Sequence, residues 1–148
     1  MALTTDQLTA REMRGRGYHC VKVEHYVWFP GIKEPRKRDF LGFADYVAWN
    51  DTETVLVQTT SKSNHSARRN KILDAEFFRK WMRNPRHKVL VQSWEKKGVS
   101  YTCKDEYMTL EMADSFETKR KEKEDKETAH MKNWTSDDFA RHLHPEKF

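Results

Sequence analysis

Asp45 and Gln58 are the two side chains best spaced to do chemistry together. They sit in Phe40–Trp49 and Thr54–Thr60, two runs rich in β-branched and aromatic residues, separated by Asn50, Asp51, Thr52 and Glu53. Runs of that kind read as strands, and the polar residues between them as a hairpin turn. With Asp51 and Thr52 as a two-residue turn, paired residues have numbers summing to 103 (51 + 52), which sets Asp45 opposite Gln58. A four-residue loop from Asn50 to Glu53 gives the same register, whereas a three-residue loop or a bulge shifts it. Because strand side chains alternate, Phe43, Asp45 and Val47 then share a face with Leu56, Gln58 and Thr60.

A carboxylate inside an apolar stripe is costly without a partner. A divalent cation would supply one. Mg²⁺ prefers oxygen ligands, takes one or two carboxylates, and completes its octahedron with water and phosphate oxygens. The Asp45 carboxylate, the Gln58 amide oxygen and a main-chain carbonyl near Thr59 suit such an ion. A hydrogen bond between Asp45 and Gln58, or a face that is simply wet, accounts for the same pattern, and spacing does not choose among them. Glu24, on the first expected strand, and Asp39 either complete a metal site or pair with basic neighbours. Asp6 and Glu12, on the first expected helix, are further acids without decisive spacing.

The elements that must position these groups follow from periodicity. Thr4 or Thr5 can cap a helix over about residues 5–15, closed by Gly15 and Gly17. Residues 18–28 alternate as a strand, broken by Pro30 and Gly31, and KEPRKR reads as a basic loop. After the hairpin, residues 63–84 carry Ile72, Ala75, Phe78 and Met82 at helical spacing, with Ser63 or Asn64 as cap and Pro85 as stop. Residues 88–94 and 99–107 read as two further strands around Lys97–Gly98. The order is α-β-β-β-α-β-β: an α+β domain over residues 1–110 with a central mixed β-sheet flanked by helices. Residues 111–148 form a charged, helical C-terminal extension, in which residues 117–127 carry no apolar side chain.

The 148 residues hold 28 Lys and Arg against 23 Asp and Glu, a formal charge of +5, so a polyanion is a natural partner. The helix beginning near Asn64 offers free N–H groups at its positive end, with Arg68, Arg69 and Lys71 within two turns. Arg38 and its basic neighbours add charge. These groups suit phosphates, or they form an ordinary basic surface. Absence of a long apolar run argues against a membrane span, and two isolated cysteines suit a reducing cytoplasm. No Gly-rich nucleotide fingerprint and no nucleophile elbow is present.

The runs KRDFLGFADYVAW and ETVLVQTTSKSNHSARRNKI resemble a group of small bacterial and phage proteins in the PD-(D/E)XK nuclease superfamily, and the likeness covers about residues 14–97. It implies a restriction-endonuclease-like core of αβββαβ order, with Asp45 as the metal-binding aspartate and Gln58 in the place of the second acid. The departure is Thr60, which stands where the motif lysine is usual. Lys62 lies two residues on, and Arg68, Arg69 or Lys71 are alternative cations. The implied activity is a Mg²⁺- or Mn²⁺-dependent DNA endonuclease of junction-resolving type, acting on duplex or branched DNA in a bacterial cytoplasm. In that reading Asp45, Gln58 and Glu24 hold the metal, Thr60 and Lys62 assist catalysis, and Arg68, Arg69, Lys71, Arg38 and Asn64 bind DNA. Two scissile phosphates related by a two-fold axis would suit a homodimer. The competing expectations are a degenerate nucleic-acid-binding module and a protein-interaction factor.

Overall fold

The structure is a computed structural model; it describes residues 2–147, apart from the side chains of His25 and Lys147. Residues 1 and 148, the outer ends of the two expected segments, lie outside the described residues. Compact units divide at residues 113 and 114, and each is taken by itself.

Helix α1 (Thr5–Gly15) opens the first unit. Thr4 caps it with a reciprocal box: its hydroxyl accepts from the Gln7 amide, and the Gln7 side chain accepts from the Thr4 amide. Gly17, at φ 93°, turns the chain after the helix in a conformation that a Cβ would strain. Strand β1 (His19–Lys22) follows, but the expected strand over 18–28 is two strands. The second piece, β2 (His25–Val27), leaves the main sheet and pairs with β3 (Arg36–Arg38) in a separate two-stranded ribbon. The basic segment expected as a loop therefore contributes a strand.

The main sheet holds five strands in the order β1-β4-β5-β6-β7, with β4 (Tyr46–Trp49), β5 (Thr54–Ser61), β6 (His87–Lys97) and β7 (Ser100–Tyr107). Only β5 and β6 run parallel, so the sheet is mixed as expected. The β4–β5 hairpin has the expected register, Tyr46 opposite Val57 and Trp49 opposite Thr54. Asn50 Oδ1 fixes its turn by accepting from the amides of Thr52 and Glu53. The expected strand over 40–49 is shorter at its start, because residues 40–44 form a tight turn with Leu41 and Gly42 at positive φ.

The two sheet faces are packed differently. Ala10 and Met13 of α1 lie against Cys20, Tyr46, Ala48, Val55, Val57 and Leu90. The alternate residues Leu56, Val89 and Val91 are also fully buried, as are Ile72 and Phe78. Those last two belong to α2 (His65–Asp74) and α3 (Glu76–Trp81), which replace the single helix expected over 63–84. The break is Ala75, whose ψ of 132° is extended rather than helical. Asn64 is the N-cap of α2, but its side chain makes no capping bond.

Helix α4 (Leu110–Met131) contains the charged stretch, and α5 (Ser136–Leu143) follows it. Among the described residues no helix is long and apolar enough to cross a membrane.

Candidate functional site

Asp45 sits at a bend immediately before β4. Its backbone amide donates to the Val57 carbonyl at 2.9 Å. Those residue numbers sum to 102 (45 + 57), one less than the ladder, so Asp45 and Tyr46 both address Val57 in the manner of a β-bulge. The bulge re-aims the carboxylate past the end of the hairpin. Asp45 and Gln58 still meet, but through this bend and not through regular cross-strand facing. Asp45 Oδ2 accepts from the Gln58 side-chain amide at 2.6 Å and from the Thr59 backbone amide at 3.0 Å.

Three acids converge there. Asp6 from α1, Glu24 from the segment between β1 and β2, and Asp45 each bring a carboxylate oxygen within 4.8 Å of the other two. They line a cleft of about 880 Å³ together with Gln58, Asp39, Lys37, Arg38, Arg68 and Lys71. Packing builds that convergence. Trp94 Nε1 donates to Thr9 Oγ1 at 3.0 Å, Thr9 Oγ1 donates to Thr59 Oγ1 at 2.9 Å, and Thr59 Oγ1 donates to the Thr5 carbonyl at 3.1 Å. This buried chain ties the first turn of α1, and so Asp6, to β5 beside Gln58.

Electrostatics mark the same place. Burial foremost, with the nearby Asp39 and Asp6 charges in support, pushes the Asp45 carboxyl up to about 7, against the lowering effect of the Thr59 amide. Like charges have been gathered where desolvation already penalises them, an arrangement that a bound cation would relieve. The surrounding cations are partly committed: Lys37 pairs with Glu24, Lys22 with Asp6 at 3.1 Å, and Lys71 with Asp39 at 2.8 Å.

The residues present suit a hard divalent cation. Every candidate donor is an oxygen, which matches Mg²⁺ or Mn²⁺ and not a thiolate- or imidazole-preferring metal. Gln58 supplies a second observation. It is 2 % exposed, its amide nitrogen faces Asp45 and the Thr59 carbonyl, and its oxygen Oε1 is buried without a hydrogen-bond partner. A half-turn of that amide would bring Oε1 toward Asp45, where it would have a cation to bind.

Of the expected site residues, Asp45, Gln58, Glu24, Arg38, Arg68 and Lys71 line this cleft. Lys62 does not. Its ammonium pairs with Glu95 at 3.0 Å and borders a separate small cavity with Ser93, Thr102, Cys103 and Lys104. Strand β5 ends at Ser61, and residues 62–64 turn as a 3₁₀ segment, which carries Lys62 off the strand face on which it was expected. Thr60 is buried beside its parallel partner Ser93 and does not line the cleft. Arg69 pairs with Glu106 at 3.3 Å, and exposed Asn64 stands at the N-cap position of α2 without a side-chain capping bond; neither borders the cleft.

His65 is buried between Ser93 Oγ at 2.8 Å and Glu106 Oε1 at 3.0 Å, securing the start of α2 to β6 and β7. Lys22, which pairs with Asp6, is the cation beside the acids that sequence reasoning missed; Lys37 was expected among the basic neighbours of Arg38 but not as the partner of Glu24. Both lie within a few residues of Glu24 or Arg38, yet nothing in their local pattern announces a turn toward the acids.

No protein-family model matches the chain, and no curated protein or solved structure is significantly similar to it.

Proposed function

We propose that this chain is a divalent-cation-dependent nuclease with a restriction-endonuclease-like core, hydrolysing phosphodiester bonds in DNA. The observation that carries the reading is the convergence of Asp6, Glu24 and Asp45 on one point of a cleft whose rim is basic. The order α1, β1, β4, β5, α2, β6 is compatible with the αβββαβ core implied by the motif resemblance.

Asp45, Glu24 and Asp6 would hold Mg²⁺ or Mn²⁺, with Gln58 Oε1 as a further donor. Such an ion, when bound, polarises a phosphate and lowers the pKa of a water nearby. The chain's own residues supply the rest. Arg38 and Arg68 line the cleft as guanidinium donors for phosphate oxygens flanking the reacting bond. Lys71 and Lys37 hold ammonium groups at the acids by ion pairing, available to offset charge on a phosphoryl group. In this reading the missing motif lysine is replaced from α2 or β3 and not by Lys62. Thr59 fixes the orientation of Asp45 through its amide.

The test is a cleavage panel over linear duplex, single-stranded, flapped and four-way DNA in Mg²⁺ or Mn²⁺. Cleavage that disappears in EDTA and in Asp45→Ala supports the reading; full activity of Asp45→Ala removes Asp45 from the mechanism. Thr60 at the motif-lysine position, with Lys62 held by Glu95, favours a second reading as a binding module without catalysis. That reading requires salt-sensitive DNA binding and no cut on any substrate of the panel.

A further inference from the structure

We infer that the β2–β3 ribbon is a stacking platform for unpaired bases, which makes single-stranded or locally opened nucleic acid the preferred occupant of the cleft. The inference deepens the nucleic-acid reading of that cleft and rests on it. Residues 25–38 carry four cations (Lys33, Arg36, Lys37 and Arg38) against the single acid Glu34. Tyr26 and Trp28 on the same segment are 69 % and 61 % exposed. Two large rings held in water cost apolar exposure that a folded chain ordinarily buries, and here they are interleaved with guanidinium and ammonium groups.

Ribbon and cleft are continuous. Val27, Phe29, Lys37 and Arg38 belong to both, and the Arg38 guanidinium lies over the Phe29 ring at 5.2 Å from its centroid. Tyr26 stands directly opposite Lys37 in the β2–β3 register, so the phenol shares a ribbon face with the ammonium that pairs with Glu24. A strand whose phosphates meet Lys37 would carry its bases past Tyr26 and Trp28 before reaching the acids, while Arg36 and Arg38 alternate onto the other ribbon face with Val27. Bases paired in a duplex present no open π-face to such rings, whereas unpaired bases do. Exposed rings beside cations suit a chain that carries both bases and phosphates better than they suit a continuous apolar protein surface.

The test is fluorescence polarisation in EDTA, where metal-dependent cutting is suppressed, with a labelled single-stranded 20-nucleotide DNA and a duplex of the same length as probes. The Tyr26→Ala/Trp28→Ala double variant should weaken single-strand binding at least about tenfold and change duplex binding by less than about twofold. The Tyr26→Phe/Trp28→Phe variant, which keeps the ring faces, should bind the single strand within about threefold of the unmodified chain. Equal weakening on both probes, no weakening on either, or no nucleic-acid binding by the unmodified chain overturns the inference. Ring-dependent single-strand binding by a chain that cuts nothing in Mg²⁺ would leave the platform standing and remove the catalytic proposal.

Discussion

Replacing Asp45 with the isosteric amide, Asp45→Asn, should stabilise the metal-free protein while disabling its site. Asp45 is 6 % exposed, and burial together with the Asp39 and Asp6 charges pushes its carboxyl from 3.8 up to about 7. At about 1.4 kcal/mol per pH unit, that interval corresponds to roughly 4 kcal/mol separating the ionised from the protonated form in the fold. The folded chain holds a proton that the unfolded chain releases earlier, so the associated stability is complete below the unfolded value of 3.8. It is lost as pH rises through the window up to about 7. The substituted carboxamide keeps an oxygen to accept from the Thr59 amide and the Gln58 side chain, and it cannot ionise. In EDTA, urea unfolding at about pH 8 should therefore show the variant more stable by roughly 2–4 kcal/mol, with the difference shrinking steadily toward about pH 4. Mg²⁺ should raise the midpoint of the unmodified chain at about pH 8 and leave the variant's unchanged. A stability difference that is independent of pH, or a variant less stable at about pH 8, would refute this reasoning.

Three further outcomes follow from the geometry. Lys62→Ala should leave cleavage within about threefold, because its ammonium pairs with Glu95 away from the acids, whereas Lys71→Ala should lower kcat by about 10²-fold, the scale of one lost charge-stabilising donor; steady-state kinetics on one DNA substrate decides between them. Thr9→Val should cost about 1–3 kcal/mol in urea unfolding, since it strands the buried Trp94 indole N–H and removes the donor to Thr59. Thr4→Ala should cost about 1 kcal/mol by removing the capping box of α1, read in the same assay.

The parts of this fold legible in the sequence are those set by local pattern. The first helix showed its cap and its terminating glycines, and the β4–β5 register followed from a turn whose length is fixed by Asn50. Elements decided by tertiary pairing were less legible. Residues 18–28 are rich in β-branched and aromatic side chains throughout. The polar pair Glu24-His25 interrupts their alternation where the chain leaves the main sheet, but nothing local announces that β2 then pairs with a run of three cations. The apolar stripe crosses Ala75 unbroken although the helix does not, because Ala is a good helix former and the extended ψ there is imposed from outside the local pattern.

The candidate site was half legible. Asp45, Gln58 and Glu24 stood out as acids or amides among apolar neighbours, and they do meet. Lys62 was expected to stay on the strand face, but β5 ends one residue earlier. Asp6 could not be singled out from Glu12, since only the hydrogen-bonded chain from Trp94 through Thr9 to Thr59 determines which helical acid reaches the cleft.

Calorimetric titration of Mn²⁺ into the metal-free protein at about pH 7.5 tests the core of the account most directly. One saturable site is predicted, lost in Asp45→Asn and weakened when Asp6 or Glu24 becomes the corresponding amide. Failure of the unmodified chain to bind, or binding that survives all three substitutions, would contradict the assignment of these carboxylates to a cation.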